Sequence, residues 1–368
     1  SVVSGPSTLA SQFSSLTNPT AVFTPAGGVG SYVVRWTISN ASCAASTANA
    51  TITVTGAPTT ATNSSTQTIC STATATLSGN APTVGTGAWS VVSGPSTLAS
   101  QFSSLTNPTA VFTPAGGVGS YVVRWTISNA PCTASTAKAT ITVTGAPTPA
   151  MNSSTQTICS TATATLSANA PTVGTGAWSV VSGPSTLASQ FSSLTNPTAV
   201  FTPAGGAGSY VVRWTISNAP CTASTANATI TVTGAPTIAT NSSTQTICAT
   251  ATATLSGNAP TVGTGAWSVV SGPSTLLSQF SSLTNPAAVF TPAGGVGSYV
   301  VRWTISNSPC TASTANATIT VGTGTVGGAV TGGSSICSGS SSGLLTLSGH
   351  IGSVIRWESS VSPFSSWS

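Results

Sequence analysis

The chain has 368 residues and almost no charge: Lys and Arg number 6, Asp and Glu number 1, and the formal net charge is +5. A usual globular surface is about a quarter charged, so hydroxyls and amides must keep this surface soluble. Its isolated cations exclude a patch that tracks nucleic-acid phosphates, and its apolar runs are too short for membrane insertion.

The sequence repeats itself every 89 residues. The hexapeptide that begins at Ser1 returns at Ser90, Ser179 and Ser268. A period of this length predicts a string of small domains, each with its own core. We expect a truncated unit at 1–56, complete units at 57–145, 146–234 and 235–323, and the start of a divergent unit at 324–368. The interrupted copies indicate a window within a longer array.

Gly and Pro divide the unit 57–145 into short runs that are rich in Val, Ile, Thr and aromatic residues. Such runs favour strands, and no helical periodicity competes with them. A first strand is expected near 59–62. The further predicted strands are 72–78, 88–93, 99–103, 109–113, 120–128 and 137–144.

The long predicted strand at 120–128 has two different faces. Alternation places apolar residues on one face, namely Tyr121, Val123, Trp125 and Ile127. Arg124 falls on the opposite face. Two sheets that enclose Trp89 and Trp125 predict an all-β fold, a tandem array of antiparallel β-sandwich domains with about seven strands each.

Three segments of the repeat carry a resemblance to a known family. They are Thr68 to Cys70 before a strand, Gly87 to Gly94, and Tyr121 to Asn129 followed by Cys132. They resemble the PKD-like and immunoglobulin-like tandem repeats of giant Bacteroidetes cell-surface proteins of the adhesin type. The tail from Ile336 to Ser360 is similar to a second subtype of these repeats. The resemblance implies a secreted, stalk-like or adhesive role with type IX export, and it implies no catalytic residue.

The eight cysteines fall into two phases of the repeat, one before the second predicted strand and one after the long strand. Two regular cysteines per small domain predict disulfides, an oxidising compartment and hence an extracellular or cell-surface location. No CxxC motif occurs and His350 is the single histidine, so no metal site is predicted. The candidate disulfide residues are Cys70, Cys132, Cys159, Cys221, Cys248 and Cys310.

Two pairings of these cysteines are open. The within-unit pairing, which we prefer, joins Cys70 to Cys132, Cys159 to Cys221, and Cys248 to Cys310. The predicted strand order argues against it, because it puts Cys70 and Cys132 at opposite ends of the sandwich, whereas a bridge needs Cα atoms within about 7 Å. The alternative joins consecutive units and would stiffen the array, pairing Cys70 with Cys221 and Cys159 with Cys310.

One arginine recurs in the long strand of every unit. As a candidate surface contact it could meet anionic glycans or a neighbouring chain; alternatively it is a solvated cation whose stem covers its neighbours. The four residues are Arg35, Arg124, Arg213 and Arg302. A complete unit has no carboxylate and at most one lysine, Lys138, so general acid-base catalysis lacks its groups, and neither an enzyme nor a cofactor is predicted.

These observations predict a structural stalk or fibre segment of a large secreted bacterial surface protein, which spans distance and supports adhesion. The alternatives are a self-assembling extracellular filament and a multivalent array of weak glycan-binding sites. The expected partners are other copies of the chain or further repeats of the same protein, together with glycans. No nucleic acid is expected.

Overall fold

The computed structural model describes residues 1–360, so the last eight residues of the predicted divergent unit lie outside the described residues. Within residues 1–360 the regular structure consists of strands and four short 3-10 helices, which confirms the predicted all-β class. Every sheet pairs strands of a single predicted unit. The unit boundaries themselves stay a prediction. No helix in this part of the chain is long and apolar enough to cross a membrane.

The strands follow the same order in each complete unit. The first unit contains β1 (Val2–Ser4), β2 (Gly30–Ile38) and β3 (Ser46–Val54). The second contains β4 (Gln67–Cys70), β5 (Ala75–Thr76), β6 (Thr86–Ser93), β7 (Val111–Phe112), β8 (Gly119–Asn129) and β9 (Cys132–Thr144). The third contains β10 (Gln156–Cys159), β11 (Ala164–Thr165), β12 (Thr175–Ser182), β13 (Val200–Phe201), β14 (Gly208–Ser217) and β15 (Ser224–Thr233).

The fourth unit and the tail complete the chain order. The fourth unit contains β16 (Gln245–Cys248), β17 (Ala253–Thr254), β18 (Thr264–Ser271), β19 (Val289–Phe290), β20 (Gly297–Asn307) and β21 (Cys310–Gly322). The tail contains β22 (Ala329–Thr331) and β23 (Thr346–Ser348). The 3-10 helices are Ala10–Gln12, Ala99–Gln101, Ala188–Gln190 and Leu277–Gln279.

Each complete unit has two sheets. In the unit 57–145 the larger sheet has the order β4-β9-β8-β6, and β5 pairs with β7 in a second, two-stranded sheet. The pairs β8·β9 and β6·β8 are antiparallel, whereas β4 runs parallel to β9. The same orders recur in the third and fourth units. The chain is therefore a tandem series of immunoglobulin-like units.

The predicted inner face of the long strand forms the core. Trp125 and Tyr121 are fully buried, and Trp89 is 3% exposed. The rings of Trp89 and Trp125, which lie opposite each other in the β6·β8 pair, have centroids 4.8 Å apart. Their indole N–H groups donate to the backbone carbonyls of Asn107 and Asn80, at 2.8 and 3.0 Å. Each buried polar tip thus has a partner, as a buried tryptophan requires.

Two predicted strands are absent. The segment 99–103 forms the 3-10 helix Ala99–Gln101, because the buried side chain of Gln101 bonds to local backbone and curls the chain. The segment 59–62 is irregular: the Ala61 N–H donates to the Ser135 hydroxyl, at 2.9 Å, rather than to a neighbouring strand.

Two other strands have different bounds from those predicted. The predicted strand 72–78 is reduced to Ala75–Thr76, and the strand Gln67–Cys70 precedes it. The last strand begins at Cys132 rather than at residue 137. Both shifts extend the strands to the cysteines, which brings these cysteines to the ends of the larger sheet.

Candidate functional sites at the unit junctions and on the arginine face

Two disulfides join consecutive units. They are Cys70–Cys221 and Cys159–Cys310, each with Cα atoms 4.8 Å apart and a sequence separation of 151. The within-unit pairing of Cys70 with Cys132, Cys159 with Cys221 and Cys248 with Cys310 is therefore wrong. The pairing between consecutive units is the one that the structure contains.

The parallel strand β4 is the reason for this pairing. Because β4 runs parallel to β9, Cys70 lies opposite Thr144, where the chain passes to the next unit. Cys132 begins the 13-residue strand β9 and so lies at its other end, about 40 Å away along an extended chain. A disulfide bridges Cα atoms no more than about 7 Å apart, so Cys70 cannot reach Cys132.

The turn between β14 and β15 brings Cys221 to the junction. Asn218 in this turn donates its side-chain N–H to the carbonyl of Gly145, at 2.7 Å. The Cys221 N–H donates to the Asn218 carbonyl at 2.9 Å, which fixes the turn. The disulfide partner thus arrives beside the last residues of the preceding unit.

The same asparagine contact is present at all three junctions of the described chain. Asn129 donates to Gly56 and Asn307 donates to Gly234, both at 2.7 Å. The sequence analysis did not single out these asparagines. Their recurrence directly after the long strand, in each case three residues before a cysteine, is the signal that could have identified them.

Four cysteines are free in this chain. They are Cys43, Cys132, Cys248 and Cys337. The half-buried Cys132 has the position in its unit that Cys221 and Cys310 have in theirs, and its thiol lies 3.4 Å from the carbonyl oxygens of Thr55 and Gly56. Cys248 is exposed and corresponds in position to Cys70 and Cys159.

The recurrent arginines lie half-buried on the outer face of the larger sheet. In three units the guanidinium Nε donates to the side-chain oxygen of an asparagine on the neighbouring strand. These bonds are Arg35 to Asn49 at 3.0 Å, Arg213 to Asn227 at 2.9 Å and Arg302 to Asn316 at 2.9 Å. Their role as surface contacts stays a prediction.

The unit 57–145 departs from this pattern. Lys138 occupies the asparagine position and lies directly opposite Arg124 in the β8·β9 pair. Ser90 lies opposite Arg124 on the other side, in the β6·β8 pair. We call these three side chains, which stand side by side on three adjacent strands, the cationic row.

Residues with catalytic or metal-binding chemistry do not converge in the described part of the chain. Within residues 1–360 no group of three or more His, Cys, Asp or Glu side chains is placed to hold a metal ion. The single carboxylate side chain, Glu358, forms an ion pair with Arg356. The expectation that the protein is not an enzyme stays a prediction.

Comparisons with known proteins give structural likenesses alone. No family model and no curated protein matches the chain. A three-domain I-band fragment of titin (I67–I69) is 14% identical, covers 73% of this chain and 99% of its own, with a TM-score of 0.43. The eight N-terminal Ig domains of Down Syndrome Cell Adhesion Molecule are 12% identical over 82% of this chain and 41% of theirs, with a TM-score of 0.46.

A bacterial protein is also among these structures. A Ca²⁺-stabilised adhesin with which an Antarctic bacterium binds ice is 13% identical over 79% of this chain and 82% of its own, with a TM-score of 0.30. All three TM-scores are below 0.5, so no functional conclusion is taken from these likenesses.

Proposed function

We propose that the chain is a stalk or fibre segment of a large secreted surface protein of the Bacteroidetes type, exported by the type IX system. It spans distance from the cell and supports adhesion. The observation that carries the proposal is the disulfide between consecutive units, repeated at two successive junctions with the same 151-residue separation.

A disulfide between units acts on their relative motion. A bridge inside one unit would stabilise the fold of that unit, whereas Cys70–Cys221 restricts how far one unit can swing against the next. The bond from Asn218 to Gly145 holds the same junction, and Pro147 shortens the free part of the linker. A chain that must keep its units at a fixed spacing benefits from both restraints.

The disulfides also support the proposed location. Structural disulfides form and persist in oxidising compartments, above all outside the cell. The surface relies on Ser, Thr and Asn rather than on charge, and a hydroxyl-rich surface of this kind tolerates large changes of salt and pH. Both features suit an extracellular protein.

Imaging of single particles tests this proposal. We expect the oxidised full chain to form extended particles with a narrow distribution of angles between neighbouring units. Replacing all four bridging cysteines by serine should broaden that distribution, because the covalent restraint at each junction is lost. The matched control, Cys132→Ser with Cys248→Ser, removes two free thiols and should leave the distribution unchanged.

Three results would count against the stalk. A compact cluster of units in the oxidised wild type would contradict an extended segment. Identical angle distributions in the wild type and the four-serine variant would show that the disulfides do not restrain the junctions. Ordered lateral bundles of chains would instead favour the self-assembling filament.

A further inference from the structure

The cationic row of the unit 57–145 is a place where the repeat pattern is broken in a chemically specific way. In the other three units an asparagine oxygen accepts a hydrogen bond from the arginine Nε. In this unit Lys138 supplies an ammonium group at the same position, and an ammonium group has no acceptor.

The substitution leaves two polar atoms without partners. Arg124 Nε and Ser90 Oγ are the buried side-chain nitrogen and oxygen atoms that make no hydrogen bond within residues 1–360. A buried donor without a partner costs about 1–3 kcal/mol. In addition, Arg124 and Lys138 are like charges directly opposite each other on neighbouring strands, which is unfavourable. The row therefore lacks an acceptor and a negative charge.

We propose that the cationic row binds a carboxylate group of an acidic polysaccharide. One carboxylate oxygen takes the place that the asparagine oxygen has in the other units, where it accepts from Arg124. The second oxygen lies between the guanidinium and the Lys138 ammonium, since a planar carboxylate suits the forked donors of arginine. The flexible stem of the exposed Lys138 side chain moves aside to admit it.

A second copy of this chain cannot supply the carboxylate from its repeats. The whole chain has one acidic side chain, Glu358, and it is already paired with Arg356. The occupant must therefore be a different molecule. Because the row occurs in one unit of the chain, this binding does not depend on the stalk proposal.

The surroundings of the row favour a polysaccharide over an acidic peptide. Strand β8 is paired on both sides, so its backbone offers no free edge to which a peptide strand could be added. The neighbouring outward positions on β8 and β9 carry hydroxyl groups, which can bond to sugar hydroxyls. These residues are Thr126, Thr136 and Thr140.

Titration of the oxidised full chain with a fluorescent oligogalacturonate tests the proposal. We expect one site per chain in the wild type. Lys138→Asn should weaken binding by about tenfold or more, the size of one lost charge-assisted contact. This variant restores the residue that three other units carry, so its fold is already supported by the structure.

Two further variants separate the site from net charge. Lys138→Asn combined with Thr106→Lys keeps the charge but places the lysine in an exposed turn, and it should bind as weakly as Lys138→Asn alone. Asn227→Lys copies the row into the third unit and should raise the stoichiometry to two sites per chain. Success of this transfer would show that the three-residue row is sufficient.

Several outcomes would overturn the proposal. Absence of measurable binding, or equal binding by the wild type and Lys138→Asn, would exclude the row as the site. Full recovery of binding by the relocated lysine would show that net charge alone acts. Equal binding of neutral dextran would exclude carboxylate recognition, and equal binding of polyglutamate would exclude selectivity for a polysaccharide.

Discussion

At the scale of the residue, a glycine decides whether the two core tryptophans can pack. Gly87 lies opposite Ile127 in the β6·β8 pair, and a Cβ atom at Gly87 would lie 2.1 Å from Cζ2 of Trp125. The buried indole ring has no free space to move into. The sequence predicted the tryptophan core, but it did not show that this glycine provides the room for it.

We therefore expect Gly87→Ala, introduced together with Gly176→Ala and Gly265→Ala, to destabilise each unit by about 1–3 kcal/mol through overpacking. Thermal unfolding of the full chain measures the effect. The matched control places alanine at the three junction glycines Gly56, Gly145 and Gly234, where the nearest atoms are 3.4 to 3.6 Å away. Equal unfolding temperatures for the two triple variants would contradict the packing argument.

At the scale of the element, the 3-10 helix Ala99–Gln101 depends on one buried amide. The side chain of Gln101 donates to the carbonyls of Ser96 and Leu98, at 3.1 and 3.0 Å, and accepts from the N–H of Ala115 at 2.9 Å. These three bonds satisfy two separate loops from a single side chain. The strand predicted at 99–103 was wrong because this amide holds the segment in a turn.

Gln101→Ala should lower the free energy of unfolding of the unit 57–145 by roughly 2–4 kcal/mol, because three backbone groups lose their partner. Gln101→Glu keeps the size and an acceptor but directs a carboxylate at two carbonyl oxygens, so it should be at least as destabilising. Urea unfolding of the full chain detects the shift. Wild-type stability of either variant would mean that solvent replaces the amide.

At the scale of the whole molecule, the two disulfides overlap along the chain. The segment enclosed by Cys70–Cys221 contains Cys159, and the segment enclosed by Cys159–Cys310 contains Cys221. Tension applied at the two ends of the chain can therefore pass through both bridges and backward through the 62 residues between Cys159 and Cys221. The overlap limits how far the central unit can be pulled out.

Force spectroscopy can measure this limit. In the oxidised chain the extended distance from Cys70 to Cys310 should reach about 200 Å, set by those 62 residues. Removing the second bridge by Cys159→Ser leaves a path of 89 residues from Cys221 to Cys310, so the distance should rise to about 300 Å.

Removing both bridges frees all 240 residues from Cys70 to Cys310 and should give about 800 Å. The control, Cys248→Ser, should match the wild type because Cys248 is not bridged. Equal extension in the oxidised wild type and the variant without bridges would contradict the interlocked arrangement.

The sequence by itself determined the features that depend on neighbouring residues. Alternation along residues 120–128 separated the buried face of Tyr121 and Trp125 from the face that carries Arg124, because side chains of a strand point to opposite sides in turn. The 89-residue period indicated small repeated domains, since each copy carries the same core residues.

The tertiary structure alone decided which cysteines meet and which arginine lacks its partner. The pairing of Cys70 with Cys221 depends on β4 running parallel to β9, a contact between segments some 70 residues apart that no local pattern encodes. The contrast between Arg124 and Arg213 likewise required the strand register that places Lys138 and Asn227 opposite them. In both cases function-bearing groups come together across strands, whereas sequence periodicity describes one strand at a time.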